Sequence, residues 1–139
     1  MAAKKKPTVA KLKKKLDAIF SQFIRYRHAF MIDGEESCTC VTCGKTAPVK
    51  NMQAGHFMSR RYNSTRFHEQ NVHVQCMGCN MYDQGRQYDH GQYIDSQYGE
   101  GTAAGLRKLS TGLKQFKTFE LEEMISSYKE KVKNLQGVA

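Results

Sequence analysis

Residues 40–43 (CVTC) and 76–79 (CMGC) form two Cys-x-x-Cys pairs, and this pattern decides the fold that the sequence predicts. Zn²⁺ takes four thiolates at the corners of a tetrahedron, and the two-residue spacing lets one tight turn present both sulfurs of a pair. Four cysteine ligands close the coordination shell, so the predicted zinc is structural. The alternative is two disulfides or buried free thiols. A basic chain without an apolar leader favours a reducing compartment and therefore the zinc.

The fifth cysteine, Cys38, stands two residues before the first pair. It could compete as a ligand or be buried as a small apolar side chain, and we favour burial. The predicted zinc ligands are therefore Cys40, Cys43, Cys76 and Cys79.

Positive charge is concentrated at one end of the chain. The 139 residues carry 22 Lys and Arg against 13 Asp and Glu, a net charge of +9. Residues 1–28 hold nine of the basic side chains and one acid, Asp17. Such a block attracts a polyanion, most simply nucleic acid, although a solvated helix face is the alternative.

The N-terminal third predicts a basic tail followed by a helix. Residues 1–7 are small and charged, typical of a mobile tail. Apolar residues then recur at steps of three and four, which predicts an amphipathic helix over 8–33 with Thr8 as N-cap and Asp33-Gly34 as the closing turn. The basic face that we expect to bind the phosphate backbone carries Lys11, Lys13, Lys14 and Lys15.

The segment between the cysteine pairs predicts a hairpin. Alternating apolar residues indicate strands within 46–58 and 71–75, joined by a polar, basic loop, and a helix is expected to begin near 76–80. Residues 91–139 contain helical patterns whose final apolar seam favours packing inside the monomer over a coiled-coil dimer. No stretch reaches the roughly 18 apolar residues of a membrane span, so we expect a cytoplasmic protein. The sequence thus predicts one α+β, helix-rich domain over 1–139 with its core at 36–90.

These motifs resemble a known family. CxxCGK, then His56, then Asn71, and Asn80 directly after the last cysteine resemble an HNH endonuclease of the treble-clef (ββα-metal) kind. More closely, YRHAF, CVTCGK, QAGHFMSRR, TRFHEQNVHVQCMGCN and QYIDSQYG resemble the lambdoid phage NinG family, also known as the Rap recombination endonuclease. The resemblance covers nearly the whole chain from residue 25. It implies a metal-dependent endonuclease that cuts D-loops and Holliday junctions in the host bacterial cytoplasm.

The candidate catalytic residues follow from the chemistry of phosphodiester hydrolysis. His56 suits the general base because its pKa lies near physiological pH, although a lone strand histidine is more often structural. Asn71 is expected to fix the loop through backbone hydrogen bonds, or to be an ordinary turn residue. Asn80 and Asp83 would face a hard cation, Mg²⁺ or Mn²⁺, from one helical face.

One departure from the HNH pattern concerns that cation. Many HNH enzymes place a carboxylate directly before the base, where this chain has Gly55. There are two alternatives. Either Asp83, His68 or Glu69 replaces the missing carboxylate, or the ion is held weakly with more water in its shell.

The loop after His56 supplies the candidate phosphate contacts Arg60, Arg61 and Arg66, with plain surface charge as the alternative. Tyrosines 62, 82 and 88 could stack on unpaired bases or pack in the core. A non-catalytic zinc module for branched DNA, or a single-strand or RNA binder, remains the rival function. A homodimer would suit a substrate with near two-fold symmetry.

Overall fold

Five α-helices and five short strands organise residues 5–136, the residues that this computed structural model describes. Residues 1–4 of the predicted tail lie outside that range, as do 137–139. The architecture is α+β and helix-rich, as predicted, and none of the helices in this range is long and apolar enough to cross a membrane. The elements are α1 Val9–Tyr26, β1 Phe30–Ile32, β2 Glu35–Thr39, β3 Thr46–Pro48, β4 Met52–His56, α2 Asn63–Arg66, β5 Val72–Cys76, α3 Gln87–Tyr98, α4 Thr102–Ser110 and α5 Thr118–Gln136.

Helix α1 packs its apolar stripe against α5 and the β4–β5 hairpin. Thr8 caps it, since the Thr8 hydroxyl accepts a hydrogen bond from the Lys11 amide at 3.2 Å. The apolar seam of α5 is buried by this contact inside one chain, as the sequence favoured. The buried residues of the two helices are Leu12, Leu16, Phe20, Ile24, Leu121, Ile125, Tyr128 and Val132.

The predicted helix over 8–33 is too long, because α1 ends at Tyr26. The apolar residues 30–32 form β1 instead, paired antiparallel with β2. Asp33 and Gly34 have φ of 50° and 80°, the positive angles of a two-residue hairpin turn, so this predicted turn closes a hairpin rather than a helix. Aspartate and glycine both tolerate such angles. The helical period of the preceding apolar residues does not show where the helix ends and the strand begins.

The hairpin between the cysteine pairs is confirmed, with β4 antiparallel to β5 and His56 opposite Val72. The predicted strand over 46–58 is divided, since β3 pairs with β2 and a 3₁₀ turn at Val49–Asn51 separates it from β4. Pro48 fits the end of β3 because it has no amide hydrogen to continue a ladder.

The helix expected to begin near 76–80 is not a continuous α-helix. A π-helical turn covers Gly78–Tyr82, and a 3₁₀ turn at Gln84–Arg86 follows before α3 begins. Gln84, Gly85 and Arg86 all have positive φ, which a continuous right-handed helix excludes. Asn80 and Asp83 therefore do not share the face of a regular helix.

Candidate metal centre and catalytic cleft

The four predicted ligands converge. The sulfurs of Cys40, Cys43, Cys76 and Cys79 all lie within 4.8 Å of one another, and Cys43 Sγ is 3.7 Å from Cys76 Sγ. Sulfurs around a tetrahedral zinc with bonds of about 2.3 Å would stand about 3.8 Å apart. All five cysteines are free thiols, so disulfides are not the explanation of the pattern. The cluster could hold one structural zinc ion.

Backbone geometry at each Cys-x-x-Cys turn prepares the sulfurs for a cation. Gly44, with φ of 81°, donates its amide to the carbonyl of Cys40 at 2.9 Å, and the Cys79 amide points at Cys76 Sγ at 3.4 Å. Burial raises the pKa of Cys40, but hydrogen bonds from Thr42 and backbone amides outweigh it and bring that pKa to about 6. The Lys45 amide lowers the pKa of Cys43, but burial and the neighbouring thiols outweigh it and raise that pKa to about 12. Metal ligands must be thiolates, and crowded thiolates are stabilised by a shared cation.

Cys38 stays outside this cluster. It is 1% exposed on β2, and burial raises the pKa of its thiol. The prediction of a small buried apolar side chain is confirmed.

A cleft of about 1250 Å³ lies apart from the cysteine cluster. It is lined by β4 with His56, by the α1 face that carries Asp17, and by residues of α3 and α4. Tyr88 of α3 is 78% exposed, and Arg107 of α4 also lines the cleft. The cleft is thus open and lined by groups that suit a polar, anionic polymer.

His56 is oriented by a single backbone bond. Its Nε2 lies 2.9 Å from the carbonyl oxygen of Arg66. A carbonyl only accepts, so Nε2 carries the hydrogen and Nδ1 keeps the free lone pair. Burial lowers the pKa of His56 to about 4, with a further lowering from Arg60. The imidazole is therefore neutral at pH 7, but it is a weaker base than the sequence predicted, since its pKa lies well below physiological pH.

Asn71 ties together the loop that supplies this carbonyl. It is fully buried, and its side-chain oxygen accepts the Met58 amide at 2.8 Å. Its Nδ2 donates to the carbonyls of Met58 and Thr65 at 3.0 and 3.1 Å. From the end of the 57–71 segment, this side chain therefore bonds the start of the segment at Met58 and its middle at Thr65, next to the Arg66 carbonyl that holds His56.

Asn80 reaches the cleft, and Asp83 does not. Asn80 Nδ2 donates to Gln53 Oε1 at 2.7 Å, which leaves its own carbonyl oxygen for another partner. Asp83 is 70% exposed, does not line the cleft, and stands 3.6 Å from Arg86. The other suggested substitutes, His68 and Glu69, also lie outside it.

Among the residues that line the cleft, no free carboxylate replaces the one absent at Gly55. Asp17 and Asp95 line the cleft, but Arg66 holds the first and the second accepts the Ala103 amide at 2.8 Å. Among the residues described, the four cysteines are the one group of three or more His, Cys, Asp or Glu that could hold a metal. A cation near Asn80 would have one amide oxygen from the protein.

Packing explains why position 55 is a glycine. A Cβ at that position would lie 1.8 Å from Gln75 Oε1, and Gln75 is fully buried with its Nε2 bonded to the Gly85 carbonyl at 2.7 Å. A carboxylate at position 55, where the HNH pattern places one, would therefore require the buried Gln75 side chain to move.

The basic residues divide by their partners. Arg66 is engaged in a close ion pair with Asp17, Arg60 is largely exposed but also lies 3.8 Å from Asp17, and Arg61 lies over the Tyr62 ring. Lys13 is partly buried beside that ion pair, and burial together with Arg66 lowers its pKa. Three lysines are exposed on α1: Lys11, Lys14 and Lys15.

Sequence reasoning missed the site roles of Asp17 and Arg107. One sequence feature could have pointed to Asp17, namely that it is the single acid among the N-terminal basic residues. No sequence feature pointed to Arg107. It lies on α4, about 50 residues beyond His56, and lines the cleft only because α4 packs there.

The fold and the cysteine cluster define a small α+β protein with a site for one structural metal. The family model described as bacteriophage lambda NinG protein matches residues 1–137, so the chain belongs to the NinG family, as its motifs indicated. Neither the curated proteins nor the solved structures gave a match.

Proposed function

We propose that this protein is a structure-specific DNA endonuclease that hydrolyses a phosphodiester bond with water activated by His56. The observation that carries the proposal is the state of that imidazole. It is neutral at pH 7, its Nε2 donates to the Arg66 carbonyl, and it lines an open cleft. Membership of a phage family supports DNA as the substrate, and branched recombination intermediates are the proposed class.

In this mechanism Nδ1 of His56 accepts a proton from water while the water oxygen bonds to phosphorus. The bond from phosphorus to the 3′ oxygen breaks, and that oxygen leaves with the electron pair and takes a proton from solvent. General base catalysis of this kind contributes roughly 10²- to 10⁴-fold. Asn71 keeps the base in place by holding the loop.

The proposal includes a treble-clef HNH core. Its parts would be the Cys40–Cys43 turn, the β4–β5 hairpin, and the helical turn that carries Cys79 and Asn80. The carbonyl oxygen of Asn80 fits a hard cation, and water and phosphate oxygens would complete its shell. A bound Mg²⁺ or Mn²⁺ would offset negative charge on the phosphate and the departing oxygen.

DNA would lie between α1 and the wall made by α3 and α4. The exposed lysines of α1, together with Arg60 and Arg61, would contact phosphates without reading sequence. The Tyr88 ring would stack on an unpaired base, and the Arg107 guanidinium would make a bidentate contact with a phosphate.

Both carboxylates that line the cleft, Asp17 and Asp95, are already engaged, and this favours one rival, a zinc module that binds branched DNA without cutting it. Incubation with labelled four-way junction, D-loop and linear duplex, with and without Mg²⁺ or Mn²⁺, separates the two. We expect the branched substrates to be cut and His56→Ala to bind without cutting. Tight binding by wild-type protein without cleavage under any metal condition would establish the rival.

A further inference from the structure

Arg66 makes two connections in different directions. Its backbone carbonyl accepts the Nε2 hydrogen of His56, while its side chain crosses to Asp17 on α1. The ion pair is bidentate, with Nε to Oδ1 at 3.1 Å and Nη2 to Oδ2 at 2.5 Å. The remaining nitrogen, Nη1, donates to the Arg60 carbonyl at 3.0 Å. One residue thus joins the catalytic loop, the base and the basic helix.

This pair is shielded from solvent. The side chains of Arg66 and Asp17 are 16% and 15% exposed, so their attraction is screened less than that of a surface pair. A bidentate carboxylate also fixes the plane of the guanidinium, which a single contact would leave free. The position of the Arg66 backbone is therefore constrained from the α1 side as well as from its own loop.

We propose that Asp17 is a positioning residue for His56, acting through Arg66 to hold the carbonyl that selects the imidazole tautomer with a free Nδ1. This inference rests on the proposed nuclease function for its kinetic consequence, but not for its structural one. Arg66 thereby leaves the set of phosphate ligands and becomes part of the support for the base. A displacement of about 1 Å at a reacting group can cost on the order of 100-fold in rate.

The variant Asp17→Asn tests this; it also removes the longer contact between Arg60 and Asp17 at 3.8 Å but leaves the other supports in place. Asn71 still ties the loop, and the apolar stripe of α1 still packs on the core. The control is Asp89→Asn, which breaks a more exposed ion pair with Arg86 at 2.7 Å whose two residues do not themselves line the cleft. We expect kcat to fall about 10- to 100-fold in Asp17→Asn with junction affinity equal or tighter, because a negative charge leaves the cleft. Asp89→Asn should keep the wild-type kcat.

A second measurement needs no cleavage. Nitrogen NMR shifts of His56 should report a single Nε2-protonated tautomer in wild type and a mixture in Asp17→Asn and in Arg66→Gln. The double variant should be no worse than the poorer single one, because both act through one link. An unchanged tautomer in Asp17→Asn would overturn the proposal, as would an unchanged kcat. If wild type cuts no DNA but the tautomer shifts, positioning stands and the nuclease assignment fails.

Discussion

The cysteine cluster and the His56 cleft are built in opposite ways. The cluster takes its four sulfurs from two turns, each with its ligands three residues apart, and one hairpin brings the turns together. The cleft takes its lining from α1, β4, α3 and α4, from Asp17 to Arg107. Local spacing therefore dictates the first site, whereas the second exists only once distant helices have packed.

The largest effect should come from the cluster. Cys43→Ser should lose bound zinc and cooperative unfolding together, because metal affinity in such small domains is folding free energy of about 10 kcal/mol or more. Elemental analysis and urea unfolding measure both. Cys38→Ala is the matched control, a buried cysteine outside the cluster, and should keep its zinc. Folded, metal-free wild-type protein would contradict the zinc assignment.

The next effect belongs to the cleft. His56→Ala should lower the cleavage rate by roughly 10²- to 10⁴-fold while zinc content and junction affinity stay at wild-type values, since the base is neither a sulfur ligand nor a phosphate contact. His28→Ala, which removes an exposed histidine outside the cleft, serves as control. Full cleavage by His56→Ala would refute the mechanism and leave the cluster untouched.

Acid should weaken the hairpin side of the molecule through buried histidines. Burial lowers the pKa of His73 to about 2 and that of His90 to about 4, below the value of about 6.5 in an unfolded chain. The unfolded state then binds more protons, so stability is fully present above pH 6.5 and is lost as pH falls toward 4. Since His73 and His90 share a hydrogen bond of 2.9 Å, they titrate as a pair, and the free energy of unfolding measured in urea should be lower at pH 5 than at pH 7.5. A flat profile would show that these histidines charge freely in the fold.

The basic face of α1 should have a smaller and more general effect. Replacing Lys11, Lys13, Lys14 and Lys15 by Gln should weaken binding to all DNA forms alike, because phosphate contacts carry no sequence information. The salt slope should flatten by about 0.9 for each phosphate that the lysines no longer neutralise. Titration at two ionic strengths checks this, and an unchanged slope would mean that the lysines form only a solvated face.

The smallest expected effect separates Asn80 from Asp83 as ligands of the proposed cation. Asn80→Ala should raise the Mg²⁺ or Mn²⁺ concentration needed for half-maximal cleavage, whereas Asp83→Ala should overlay the wild type, because Asp83 does not line the cleft. A raised metal requirement in Asp83→Ala would support the ligand role that sequence spacing suggested and would mean that the 83–86 turn rearranges on DNA.

The sequence by itself determined the four sulfur ligands, the fold class, the hairpin between the cysteine pairs and the family. These features depend on spacing within one turn or on apolar periods, which are local properties of the chain. It misplaced the end of α1, since an apolar run before Asp-Gly suits a helix or a hairpin equally until its partner strand is known. Only the tertiary structure decided that Arg66 holds Asp17 rather than solvent or phosphate, and that Gln75 fills the space beside Gly55. Both follow from packing between segments remote in sequence, where the partner of a charge or a glycine is set by whichever side chain the fold places against it.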